Sequence, residues 1–280
     1  MNVTLGLITS LASWSLYVVV VLTVGTTLCQ LLFRVDVSTP AVATGSVIGV
    51  MLSAFVFALD AVFLTGSWAG IIEHDMLALL WQSQNGDTLS YRAVGFALVG
   101  VGCLTGRVGR AIALLGAALI LWSFVLRGHI ADRDSLVLAI LLLLHLGVAC
   151  IWFGILLPLR QLTIHDSAMG ADLGERFARV AIWAVPVLLI AGLVMSAQLL
   201  GSLSDLVGTE YGRMLLLKVL AVGVLLGLAA LNKQLLVPKL RNGDTGARDR
   251  LVKSITAEAV VGLAILWATA LLTTRYALPM

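Results

Sequence analysis

Charge is what this chain has least of. Only 12% of its 280 residues are Asp, Glu, Lys or Arg, about half the share of a soluble domain, while 60% are hydrophobic and the mean hydropathy is +1.05. Cysteine is also scarce: Cys29, Cys103 and Cys150 all fall inside apolar runs, which excludes a periplasmic disulfide framework. There is no CxxC, no HExxH, no glycine-rich phosphate loop and no nucleophile elbow, so neither a hydrolase nor an ATP-driven pump is indicated. A basic n-region and a small-x-small cleavage site are missing at the N-terminus, and the first apolar run reads as a retained helix.

What is present is length of apolar run. A bilayer core about 30 Å thick takes roughly 20 helical residues. By that measure eight spans are expected, at residues 10–33, 40–65, 88–105, 111–130, 135–157, 178–201, 213–237 and 254–274. None alternates as a membrane strand does, so the expected fold is an all-α integral membrane bundle of eight transmembrane helices, a single domain over residues 1–280. Residues 66–87 carry Trp68, Trp81 and near-helical apolar spacing, which predicts a short interfacial helix between spans two and three. Residues 160–179 are polar and mixed in charge and read as a solvated connector.

Basic residues set the orientation. Of the 18 Lys and Arg, twelve flank the odd-numbered loops (Arg34, Arg107, Arg110, Arg160, Arg176, Arg179, Lys233, Lys239, Arg241, Arg248, Arg250 and Lys253), leaving six on the side of the termini. The positive-inside bias therefore predicts both termini outside, in the periplasm of a bacterial inner membrane. The net charge of +3 is a topology signal and calls for no nucleic-acid partner; membrane lipid is the partner it implies.

Ionisable groups at membrane depth face a bundle interior and are functional candidates. In the stretch "LLLLHLGVACIWFG", His145 lies about 15 Å from the start of its span at 1.5 Å per residue. His129 ends the preceding antiparallel span, so the two imidazoles are expected to open on one cavity reachable from the periplasm. Imidazole ligates copper, zinc or haem iron. Asp60 is expected to orient an imidazole, to ligate directly, or to pair with Lys218 or Arg92. Met51 and Met195 are soft candidates for Cu(I), and the surface run Glu73-His74-Asp75-Met76 offers His74 and Met76 for loose capture. Methionine in an apolar bundle is also ordinary core filler.

Further motifs carry a family resemblance. They are Arg176-Phe177, then Thr209-Glu210-Tyr211-Gly212-Arg213 with Lys218, Leu231-Asn232-Lys233, Glu258 in the last span, the Gly128-His129 pair and His145…Trp152-x-Gly154. Over roughly residues 88–275 the chain resembles the copper resistance protein D (CopD/PcoD) family. The resemblance implies copper handling at the inner membrane, binding copper from the periplasmic side and moving it inward alongside a periplasmic copper carrier, which is transport and not enzymatic. Small haem-b membrane proteins also look related, and a histidine pair holding haem b would make this a cupric reductase instead. The chain departs from an obvious metal conduit, with no Met-x-x-x-Met ladder and no Cys-Pro-Cys. Tyr211, Arg213, Lys218, Asn232, Glu258 and Trp152 are expected to be structural. Glu258 is expected to partner a cytoplasmic-side Arg or Asn232, and Lys218 to partner Glu210 or Asp60.

Overall fold

The computed structural model describes residues 3–35, 38–127, 135–200, 202 and 204–276. The elements are α1 (Val3–Phe33), α2 (Thr39–Thr65), a 3-10 turn (Trp68–Ile72), α3 (His74–Trp81), α4 (Gln84–Gly102), α5 (Gly106–Trp122), α6 (Leu136–His165), α7 (Ser167–Leu199), α8 (Asp205–Gly208), α9 (Glu210–Leu231), a π-turn (Asn232–Leu236), α10 (Val237–Arg241) and α11 (Thr245–Thr274). Among the described residues there is no strand. Among the described residues six stretches are long and apolar enough to cross a membrane: α1, α2, α6, α7, α9 continued through Arg241, and α11.

Each of the eight apolar runs becomes a helix, but α4 and α5 fall short of that measure. Helix α4 begins in the polar residues Gln84-Asn85-Gly86-Asp87 and carries Arg92. Helix α5 stops at Trp122, whereas the apolar run suggests a span to residue 130. The Ser123 hydroxyl donates to the Ile120 carbonyl at 2.6 Å and the chain turns out of the helix there. Together α4 and α5 form a tight antiparallel hairpin, with Gly95 against Gly116 and Gly102 against Gly109.

The connector expected at residues 160–179 is instead helical. Helix α6 runs on past Pro158 to His165, and Asp166 caps α7 by accepting from the amides of Ala168 and Met169 at 3.1 and 3.0 Å. The charged residues misled because they occupy only one face. Gly170, Ala171, Leu173 and Gly174 recur at helical spacing and are buried, while Asp172 and Arg179 are exposed. A short helix does form between spans two and three, α3, with Leu80 buried and Trp81 edge-on to Phe57 at 6.4 Å.

Two cores share α1. One gathers α2, α4 and α5 around Leu16, Val24, Leu59, Phe96 and Ile120; the other gathers α6, α7, α10 and α11 around Ile155, Leu173, Leu251 and Ile255. Contact between α1 and α6 is backbone to backbone, since a Cβ on Gly25 would stand 2.0 Å from the Cys150 carbonyl oxygen and one on Gly154 2.2 Å from Gly25. In lipid, where apolar burial cannot drive helices together, such small-residue contacts supply the packing. Ser10 and Thr274 hydrogen-bond at 2.8 Å, so α1 and α11 run antiparallel and the chain begins and ends at one face of the bundle.

Large substitution at this contact separates the two cores. Gly25→Leu is expected to abolish the monodisperse peak in detergent size-exclusion chromatography, while Gly147→Leu, which meets nothing within 4 Å, leaves it intact.

Candidate functional site

His145 projects from the middle of α6 toward α7, half-buried, with Nδ1 3.1 Å from the Leu188 carbonyl oxygen. A carbonyl only accepts, so Nδ1 is the protonated nitrogen and the neutral ring keeps its lone pair on Nε2. Gly192 lies beside the ring, where a Cβ would stand in ordinary contact with Cε1 at 3.4 Å. Lys218 of α9 lies within electrostatic reach of this ring. Neither Glu210 nor Asp60 forms an ion pair with Lys218, contrary to expectation; among the described residues no carboxylate reaches it.

Met195 lies in the same α6–α7 seam, packed on Leu138 and Ala191. The seam runs antiparallel, so Met195 sits seven residues beyond Leu188, about 10 Å along the helix axis. It therefore stands two turns from His145. Met51 is 66% exposed on α2 and faces away from the core. His74 and Met76 are on α3, at the surface of the terminal face, where Glu73 provides the residue before the helix. His129 lies outside the described residues. Among the described residues no three of His, Cys, Asp and Glu come together as a metal-binding group.

Asp60 belongs to a different neighbourhood. Helix α2 packs on α1, α3 and α4, whereas α6 packs on α1, α7 and α11, so α1 stands between Asp60 and His145. The partner of Asp60 is Arg127, at 2.6 Å, in place of the expected Lys218 or Arg92. Arg92 is only 4% exposed; its Nε donates to Ser123 Oγ at 3.0 Å and its guanidinium lies over Phe124, 4.8 Å from the ring centroid. Arg127 escaped notice because it reads as an ordinary flanking cation. Only the turn after α5 swings it onto α2.

The motif residues form a second polar group near the opposite face. Glu258, 3% exposed, accepts from Asn232 Nδ2, the first residue of the π-turn, which is the pairing expected from sequence. Trp152 is buried beside Glu258 and edge-on to Phe177 at 5.4 Å. Arg176, the residue before Phe177, ties α7 to α1 by donating to the Phe33 carbonyl at 2.7 Å. Thr209 caps α9 by accepting from the Gly212 amide at 3.0 Å, Tyr211 is buried against Leu215 and Leu272, and Arg213 is exposed. Most of this motif is thus helix architecture.

These helices, apolar on their outer faces, define a multi-pass membrane protein. Residues 171–272, from near the start of α7 to the end of α11, match the family model for copper resistance protein D. The match includes Tyr211, Lys218, Asn232 and Glu258 but stops short of His145, Trp152 and Asp60. No curated protein and no solved structure matches the chain.

Removing the Asp60 charge leaves Arg92 and Arg127 unopposed in a largely dry site. Asp60→Asn is expected to lower stability by about 1–3 kcal/mol, less than for a fully buried pair because Arg127 is partly exposed. Thermal unfolding in detergent reads this, and Asp60→Asn combined with Arg127→Gln is expected to recover part of the loss.

Proposed function

We propose that this protein handles copper in the bacterial inner membrane, taking it from the periplasmic side and passing it inward, with His145 Nε2 as its membrane-depth ligand. The family match supports copper resistance in the broad sense. The observation that carries the ligand assignment is the hydrogen bond from His145 Nδ1 to the Leu188 carbonyl oxygen. An imidazole whose other nitrogen is tied in this way is fixed in orientation and tautomer, as metal-ligating histidines are. The positive field of Lys218 at the ring opposes a resident cation, so copper passes this point without being stored there. His74 and Met76, at the surface, suit capture of copper from a periplasmic carrier protein, and Asp60, Met51 and Met195 stand apart from His145 as separate candidates. The haem alternative needs His129 as second axial ligand, and no observation among the described residues favours it.

The proposal includes eight crossings, with α4 and α5 as a short hairpin spanning against α1 and α2, and both ends of the chain in the periplasm. It is supported by the even helix count, the Ser10–Thr274 contact and the twelve-to-six distribution of basic residues.

Two measurements test these statements. Competition with a Cu(I) chelator on the purified protein is expected to show affinity falling at least about tenfold in His145→Ala and rising about tenfold in Lys218→Met, each near 1.4 kcal/mol. Unchanged affinity in both variants rejects the site. Alkaline phosphatase fused after Met280 is expected to be active and a fusion within 242–246 inactive; the reverse pattern inverts the topology.

A further inference from the structure

The polar group around Glu258 is incomplete as it stands. Asn232 Oδ1, Trp152 Nε1 and Ser254 Oγ are buried without partners in hydrogen-bonding geometry, and all three residues are more than nine-tenths buried. Ser254 lies one turn before Glu258 on α11. Among the described residues Glu258 has no ion-pair partner, its one fixed hydrogen bond coming from Asn232 Nδ2. An unpaired carboxylate at this depth is costly, and unpartnered donors and acceptors around it add to the cost.

The charged and titratable groups on the surrounding elements do not relieve it. Arg160 of α6 donates instead to Thr256 Oγ1 at 3.2 Å, Lys233 of the π-turn and Lys253 of α11 are exposed, and Arg241 of α10 pairs with Glu175 while Lys239 is exposed. Lys218 of α9 forms no ion pair with Glu258, and α1 contributes Cys29, a thiol whose Sγ points to the Ile151 carbonyl oxygen. What is missing is a donor that also accepts.

We propose that Glu258, Asn232, Trp152 and Ser254 form an intramembrane proton-binding site, in which Glu258 takes a proton from water at the loop-rich face and returns it reversibly. With the proton on Oε2, the acid O–H donates to Asn232 Oδ1 while Asn232 Nδ2 continues to donate to Oε1, closing a ring of two hydrogen bonds. The Trp152 N–H, buried beside Glu258 without a partner, is available to donate to it in either state. The proton comes from bulk water and goes back to it, so no other reactant is required. All the available ligands are neutral or anionic oxygens, which suit a proton or a hard cation and not soft Cu(I). The π-turn is what brings Asn232 into place: its carbonyl accepts from the Val237 amide, five residues on, and such widened turns recur at functional sites. A cleft of about 270 Å³ lined by Glu175, Arg179, Lys233 and Val237 opens beside the same turn, on the loop-rich side of the group.

The site is independent of the copper assignment, and its test needs no metal. The full chain in lipid bilayers is followed by infrared difference spectroscopy as pH is cycled between about 5 and 9. A carboxylic C=O band that appears and disappears reversibly, is lost in Glu258→Gln, and shifts in Asn232→Ala is the expected result. Glu258→Asp is expected to retain a titrating band, which keeps the test valid should the Gln variant fail to fold. A band that never titrates makes Glu258 a permanent structural acid and overturns the proposal. So does a carboxylate band across the whole range, and so does a titrating band abolished by sodium chloride but not by choline chloride, which identifies a sodium ion as the occupant.

Discussion

The bundle depends on one close approach, that of α1 to α6 where Gly25 meets Cys150 and Gly154. Helix α1 belongs to both cores, and nothing else joins the α2–α4–α5 half to the α6–α11 half so directly. In water a looser fit there would be offset by apolar burial elsewhere. In a bilayer the acyl chains are as apolar as the side chains, so only close packing and internal hydrogen bonds hold the helices in place. The polar seam from α1 to α11, Ser10 to Thr274, Tyr17 to Thr273 and the Trp14 indole to the Leu263 carbonyl, adds a second tie on the other side of α1.

That scaffold separates the ionisable residues into three neighbourhoods. Near the terminal face, Asp60, Arg127 and Arg92 settle one another, with Ser123 and Phe124 completing the shell. At mid-depth, His145 of α6 is tied to the Leu188 carbonyl of α7, within the electrostatic reach of Lys218 on α9. Toward the opposite face, Glu258 and Asn232 pair at the π-turn. Each group finds a partner for a charged or ring side chain locally, as a medium without water favours, yet the first and third leave buried polar atoms without one. The first holds a formed ion pair, with Asp60 Oδ2 left without a partner, and structural work suits it best. The other two retain unused capacity, a lone pair on His145 Nε2 and unpartnered atoms around Glu258, and such capacity at depth is where chemistry is available.

Much of this was legible in the residues alone. Run lengths located every long helix, the tryptophan-flanked segment located α3, and the Glu258–Asn232 pair followed from two polar residues on the same side of adjacent spans. The polar run at 160–179 was misleading because composition averages over a helix and hides the buried face formed by Gly170, Ala171, Leu173 and Gly174. The idea of one shared pocket failed for Asp60 on different grounds. Depth along a span is readable from residue counts, but rotation about the helix axis is not, and rotation decides which neighbour a side chain meets. Depth placed Asp60 and His145 within reach of a common outer cavity; α1 lies between them.

Sequence alone determined that the chain is helical, multi-pass and apolar outward, because a bilayer admits few ways to satisfy a backbone and all of them are written in run length and charge. It also determined which polar residues had to be buried, since lipid leaves them nowhere else to go. Only the tertiary structure decided their partners: Arg127 and not Lys218 for Asp60, the Leu188 carbonyl for His145, a π-turn carrying Asn232 onto Glu258. Those pairings depend on helix rotation, on turns such as that after Trp122, and on where glycine lets two backbones touch. These are properties of surfaces in contact, and no single segment contains them.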